Sequence, residues 1–189
     1  MSTEIPAGHR IVVHGCSGSG KSTLARTLGA RTGLPVIELD AFFHQPNWTP
    51  TPADEFRASV LSALDTADAT HGGWIVDGNY ESKLQGVIRE RATVVLWFDL
   101  PRHTVMWRMV RRTLRRAVLR EELWNGNREH WRNIVHLDPE ASIIRWAWTR
   151  HHVYRERLRS EAAEHVPGQL WIRLASQRDV DRVLSDFSC

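Results

Sequence analysis

Short apolar runs recur along the chain, each ending in a polar or glycine-rich break and followed by apolar positions three and four residues apart. Ile11-Val12-Val13 is the first such run and leads into Gly15; the segment Lys21 to Ala30 then places Leu24 and Leu28 on one helical face, and Gly33 and Pro35 end it. Val36 to Asp40 predicts a second strand and Trp74 to Asp77 a third, with a helix over about Asp54 to Ala67 between them. Thr93 to Phe98 predicts the fourth strand, stopping at Asp99-Leu100-Pro101. Leu170 to Leu174 predicts the fifth, where Trp171 and Arg173 alternate with apolar residues as on an edge strand with one wetter face. Strands separated by helices imply a parallel α/β sheet with right-handed crossovers.

About 70 residues separate the fourth and fifth strands, far more than one crossover needs. His103 to Leu119 predicts a helix with Met106, Val110, Leu114 and Val118 on its apolar face and Arg108, Arg111, Arg112, Arg115 and Arg116 clustered away from it. A second helix is expected over Ala141 to Arg159, with Ile143, Ala147, Tyr154 and Leu158 at helical spacing. With no repeat and no low-complexity linker, the 189 residues fit one domain spanning 1–189, with a helical insertion over about 102–165.

Charge sharpens the picture of that insertion. Residues 100 to 160 hold 14 arginines against six acids, whereas the rest of the chain is net acidic. Something anionic is therefore expected to meet the middle segment. Lys21 and Lys83 are the two lysines of the chain. The two cysteines, Cys16 and Cys189, support neither a disulfide framework nor a structural zinc site. A thiol at Cys16, close to a helix N-terminus, can have a depressed pKa; the alternative is an incidental small loop residue. The N-terminal stretch lacks a signal-peptide apolar region and no run approaches a membrane span, so a soluble, cytoplasmic protein is expected.

Chemistry enters at Gly15-Cys-Ser-Gly-Ser-Gly20-Lys21-Ser22, which matches G-x-x-x-x-G-K-[ST] in full, after an apolar strand and before a helix. Glycines let backbone N–H groups turn inward around phosphate oxygens, and the helix N-terminus adds a favourable dipole. Gly15, Ser17, Gly18, Ser19, Gly20, Lys21, Ser22 and Thr23 are thus candidate nucleotide-binding residues. Lys21 reaches the β- and γ-phosphates in such a loop, and Ser22 ligates Mg²⁺. A second magnesium anchor belongs at the end of a neighbouring apolar strand, and both Asp77 and Asp99 qualify.

In open α/β sheets ligands bind beyond the C-terminal ends of the strands. The loop after strand two, Leu39 to Trp48, and that after strand three, Asp77 to Ser82, are rich in polar and aromatic groups. Asp40 can orient or deprotonate an acceptor hydroxyl, or hold magnesium through water; its alternative is a strand-end cap. His44 and Asn47 can bind a polar acceptor, while Trp48 and Tyr80 can stack on a ring or simply pack.

The motifs "GSGKSTLA", "LDAFF" with "PNW", "WIVDGNY", "LWFDLPR" with "WRMVRR", and the late "LAS" together resemble the nucleoside-monophosphate-kinase-like branch of P-loop proteins. Within it, the likeness is to the adenylate-kinase-related proteins labelled DNA topology modulation protein. The resemblance spans nearly the whole chain. It implies a three-layer P-loop NTPase fold with a five-stranded parallel sheet of order 2-3-1-4-5 and an arginine-rich lid. It also implies ATP and Mg²⁺ as cofactors and Asp77 as the magnesium anchor, while the loops after strands two and three make Asp40, His44, Asn47, Trp48, Gly78, Asn79 and Tyr80 the acceptor-binding candidates. The lid arginines of such kinases close on the transferring phosphoryl group, which singles out Arg108 and Arg112, with Arg115 and Arg116 on the same basic face. Ser176 and Gln177 fall where this fold places the adenine ring.

An ATP-dependent phosphotransferase acting on a small-molecule or nucleotide acceptor is therefore expected. A regulatory GTPase lacks support, since no Asn-Lys-x-Asp signature occurs. The alternative is a nucleotide-binding regulatory or DNA-associated protein, as the family label suggests and the basic, tryptophan-rich middle permits.

Overall fold

A computed structural model describes residues 9–119, 122–127, 143–164 and 167–187, with side-chain surroundings omitted at 117 and 143–151. Of the expected insertion, 120–121, 128–142 and 165 lie outside the described residues, as do Ala141 and Cys189; the surroundings of Ile143 and Ala147 are likewise not described. Five parallel strands form the sheet: β1 (Arg10–His14), β2 (Val36–Glu38), β5 (Trp74–Asp77), β6 (Val94–Phe98) and β7 (Leu170–Leu174). A two-residue hairpin, β3 (His44–Gln45) with β4 (Thr49–Pro50), lies apart from them. The sheet order is β2-β5-β1-β6-β7. Counted over sheet strands alone, this is 2-3-1-4-5; the unexpected hairpin shifts only the numbers. β7 forms one edge, in accord with its mixed polarity.

Alternation on the strands builds two cores. Ile11 and Val13 of β1, Ile75 of β5 and Leu96 of β6 face α1 (Lys21–Thr32) and α8 (Gln177–Asp186), packing on Leu24, Leu28, Val180 and Val183. Val12, Trp74, Val76 and Val95 face the other way, onto Phe56, Val60 and Leu64 of α3 (Ala53–His71). Helices therefore cover both faces, giving three layers. Each fully buried core side chain of this size contributes about 1.5–3 kcal/mol, so the central strands anchor the loops that leave their C-terminal ends.

Several boundaries differ from the sequence reading. β2 stops at Glu38, because its pairing with β5 ends at the Glu38–Asp77 register. The next residues form α2 (Leu39–Phe43), placing Asp40 in a first helical turn rather than at a strand end. α3 runs to His71, where Gly72 at φ 70° caps it. Two short helices, α4 (Glu81–Leu84) and α5 (Val87–Arg91), follow β5.

After β6 the chain enters α6 (Arg102–Leu119) and returns through α7 (Ile143–Ala163). The buried positions of α6 are Val105, Met106, Met109 and Thr113, whereas Leu114 and Val118 are exposed. This corrects the expected apolar face, and the reason is visible at the P-loop: Arg108 and Arg112, on the flank of the buried stripe, turn inward to polar partners. Among the described residues no helix is long and apolar enough to cross a membrane.

Candidate active site

β1 delivers the chain to Gly15, and the loop turns into α1 at Gly20, whose φ of 106° is strained for any residue with a side chain. Gly18, at φ 85°, passes so close to α6 that a Cβ would stand 2.8 Å from the Val105 carbonyl oxygen and 2.9 Å from Met109 Cβ. The loop is thus clamped between α1 and α6. Ser19 N donates to Cys16 O at 3.1 Å, and Lys21 Nζ lies 3.5 Å from the same carbonyl. Ser19 Oγ is buried without a hydrogen-bond partner. Burial pushes the Cys16 thiol up in pKa, with Lys21 opposing, so the depressed thiol that its place at a helix N-terminus allowed is not found.

A cavity of about 450 Å³ adjoins this loop. Residues 18–23 form part of its wall; Arg108, Arg112 and Arg116, one helical turn apart on α6, form another part. Arg26, Thr27, Trp124 and Gln177 add to the polar lining. Among the described lining residues there is no carboxylate, so the cavity carries a concentrated positive field suited to a polyphosphate. Arg108 Nη1 donates to Ser19 O at 3.1 Å and Arg112 Nη2 to Ser17 Oγ at 2.7 Å. The guanidinium groups are already seated on the loop.

Of the two aspartates, Asp77 is the one beside the loop. Burial pushes its pKa up; the Lys21 charge and a hydrogen bond with Ser22 pull it back. Its Oδ1 is buried with no hydrogen-bond partner. An unpartnered carboxylate oxygen next to a serine hydroxyl fits a hard divalent cation, which takes oxygen ligands from one or two side chains and the rest from water and phosphate. Among the described residues no cluster of three His, Cys, Asp or Glu groups offers a protein-only metal cage.

Asp99 has another occupation. Its fully buried carboxylate accepts from Arg155, from Arg159 Nη2 at 3.1 Å and from Arg173 Nε at 2.6 Å. Burial alone would raise its pKa, but the three guanidinium groups outweigh that and hold it below the ordinary carboxylate range. Asp99 ties α7 and β7 to the end of β6 and has no oxygen left for a metal.

On the acceptor side, Tyr80 Oη donates to Asp40 Oδ1 at 2.7 Å, and His44 Nε2 lies 3.3 Å from the same hydroxyl. Because the hydroxyl proton is committed to Asp40, the His44 contact calls for a proton on Nε2. Burial, then Asp40, push the Tyr80 hydroxyl up in pKa, so it stays a donor. Burial lowers the His44 pKa, with Asp40 opposing. Phe43 and Phe56 pack on the Tyr80 ring at 4.8 and 5.3 Å between centroids, fixing it, and Trp48 meets His44 edge-on at 5.2 Å.

The remaining candidates separate. Gly78 is buried against Leu39. Asn79 spends both ends of its amide on structure: Nδ2 donates to Gly15 O at 2.7 Å and Oδ1 accepts from Tyr154 Oη at 2.5 Å. Asn47 is exposed, in a left-handed turn at φ 61°. Ser176 caps α8 through a reciprocal bond with Asp179, and its neighbour Gln177 lines the cavity instead. Thr23 is exposed at the start of α1 and lines the cavity.

Sequence reasoning missed the segment Leu123 to Asn127, which bonds to the loop after β2. Trp124 Nε1 donates to Glu38 Oε2 at 2.8 Å, and Glu38 also pairs with Arg26. The Asn-Gly pair at 125–126 is a turn signal, but nothing in the sequence names its distant partner.

No protein-family model matches the chain. A shikimate kinase from Nitrobacter winogradskyi is 27% identical over 180 residues, covering 88% of this chain and 74% of that protein. A sugar kinase structure from Janibacter sp. HTCC2649 matches with a TM-score of 0.53 at 22% identity, covering 94% of this chain and 92% of the other. A gluconokinase structure from Sinorhizobium meliloti 1021 matches with a TM-score of 0.54 at 20% identity, covering 97% and 93%. The chain has the P-loop kinase-like NTPase fold.

Proposed function

We propose that the protein is an ATP-dependent phosphotransferase whose acceptor is a small hydroxylated molecule held by the loops after β2 and β5. The observation that carries this reading is the cavity walled by a complete P-loop and by three arginines of α6. A phosphate-binding switch needs only the loop. Transferring a phosphoryl group requires stabilising the charge that develops on it, which positioned guanidinium groups supply. The relatives named above are kinases of small molecules, which supports a hydroxyl acceptor over a nucleotide one. The finer resemblance, to the DNA topology modulation group, is kept within this reading as a relationship of sequence motifs.

In the proposed site Lys21 and the loop hold the β- and γ-phosphates, and Ser22 and Asp77 would hold Mg²⁺, which when bound would offset phosphate charge. The acceptor oxygen attacks the γ-phosphorus, the bond from that phosphorus to the β–γ bridging oxygen breaks, and ADP leaves. The acceptor proton passes to Asp40, whose carboxylate Tyr80 orients through Oδ1. Arg108 and Arg112 exchange their contacts with Ser19 and Ser17 for phosphate oxygens as the segment after β6 acts as a lid and excludes water. The DNA-associated alternative rests on the basic, tryptophan-rich middle of the chain, and three arginines of that segment, Arg108, Arg112 and Arg116, line the cavity.

Acceptor-dependent ADP release from MgATP, screened over pooled hydroxy acids, sugars and nucleoside monophosphates, tests the reading. Release stimulated by a hydroxylated pool supports it. Stimulation by duplex DNA alone, with a steep fall in DNA affinity as salt rises, favours the alternative.

A further inference from the structure

We infer that the turn Trp124–Gly126 positions the acceptor loop: by capping the C-terminal end of α2 it sets the helix that carries Asp40, and by lining the nucleotide cavity it makes that setting depend on bound nucleotide. The inference deepens the proposed function and rests on it.

A helix leaves its last carbonyls without intrahelical partners, and in five-residue α2 these are a large share of its backbone. Asn125 Nδ2 donates to Ala41 O at 3.0 Å and to His44 O at 2.6 Å. Asn127 extends the contact, with Nδ2 donating to Gln45 O at 3.0 Å and Oδ1 accepting from Trp48 N at 2.8 Å. Trp124 Nε1 reaches Glu38, the last residue of β2, at 2.8 Å. Contacts from one short turn thus run along the whole segment from Glu38 to Trp48, on either side of Asp40.

The turn is itself braced for this role. Leu123 N donates to Asn127 O at 2.7 Å, and Asn127 Nδ2 also donates to Trp124 O at 2.9 Å. Asn125 sits at φ 56°, ψ 36°, a left-handed conformation that asparagine tolerates better than most residues. That conformation accompanies the aim of its amide at the end of α2.

The link to nucleotide is Trp124. Its indole lines the same cavity as the P-loop, Arg108 and Arg112, and so does Arg26, which bonds Glu38 through Nε at 2.8 Å and Nη2 at 3.1 Å. A triphosphate nucleoside in the cavity packs against the turn that caps α2. Reciprocity then follows: if nucleotide orders the Asp40 segment, an acceptor that needs this order raises nucleotide affinity by the same factor.

Backbone hydrogen exchange of the full-length protein, with and without a non-hydrolysable MgATP analogue, tests the inference without an identified acceptor. In the wild type the analogue slows exchange at the amides of residues 41–48 by at least about threefold, together with those of residues 17–23. Asn125→Gly keeps the left-handed turn and deletes the capping amide; Trp124→Phe keeps an aromatic ring and deletes the indole N–H. In both, slowing at 41–48 is lost while slowing at 17–23 persists; in Asn125→Gly, which leaves the cavity lining intact, analogue affinity changes less than about threefold. Protection of 41–48 that survives in Asn125→Gly, or that is absent from a wild type protected at 17–23, overturns the inference and leaves the kinase reading standing. An analogue that binds nowhere overturns the kinase reading itself.

Discussion

His14, the last residue of β1, is fully buried immediately before the P-loop, and neither ring nitrogen has a hydrogen-bond partner within normal geometry. Burial, followed by the Arg157 charge, lowers its pKa to about 4, against a smaller pull from nearby Asn79 and the Gly78 backbone. The sign follows from linkage. A histidine whose folded-state pKa lies below its unfolded value of about 6.5 contributes stability that is fully present above that value and lost as pH falls towards 4. His9 and His44 shift the same way and add to the trend. The melting temperature is therefore expected to fall between pH 6.5 and 4, and His14→Gln to flatten that fall; equal slopes in both proteins would contradict it. Asp77 runs the other way. Its raised pKa means that the metal-free protein bears a cost for the charged form, which is relieved as pH falls through the folded-state pKa. Asp77→Asn should thus melt no lower than the wild type without metal, yet lose the rise in melting temperature that Mg²⁺ with nucleotide gives the wild type. Retention of that rise would remove Asp77 from the metal site.

At the scale of elements, the junction of β6, β7 and α7 rests on Asp99 and three arginines. Removing the carboxylate leaves three cations facing one another. The arginines keep some access to water, which puts the cost near the lower end for a broken buried pair, about 2–3 kcal/mol. For a chain of this size that is a drop of roughly 4–12 °C. Asp99→Ala should show it in a thermal melt, and an unchanged melting temperature would mean that the cluster contributes nothing to holding α7. The same segment shows why α6 was misread. Apolar periodicity alone points to Leu114 and Val118, which are exposed, because it takes every basic residue as solvent-facing. Arg108 and Arg112 instead face the loop carbonyl and hydroxyl, and the stripe centred on Met109 is buried beside them.

Across the whole molecule, what could be read in the sequence is what lies contiguous along it. The P-loop is one run of eight residues whose spacing suits a phosphate chain, and the central strands β1, β5 and β6 announce themselves by burying both faces. Tyr80 and Asp40 were both candidates, but their bond spans 40 positions, and the bonds from Asn125 to Ala41 and His44 span 84 and 81. Such pairings carry no local pattern; they appear only when the sheet order brings the loops after β2 and β5 together. Ser176 is engaged locally instead: Asp179, three residues on, shares its hydroxyl in a helix cap, while its neighbour Gln177 lines the cavity. The central claim is that the chain moves a phosphoryl group from MgATP to a hydroxyl, and ³¹P NMR of a reaction with the stimulating acceptor pool tests it most directly. The wild type is expected to yield ADP and a phosphate ester in equal amounts, with neither formed by Lys21→Ala. ADP accompanied by inorganic phosphate alone, whatever acceptor is present, would contradict the account.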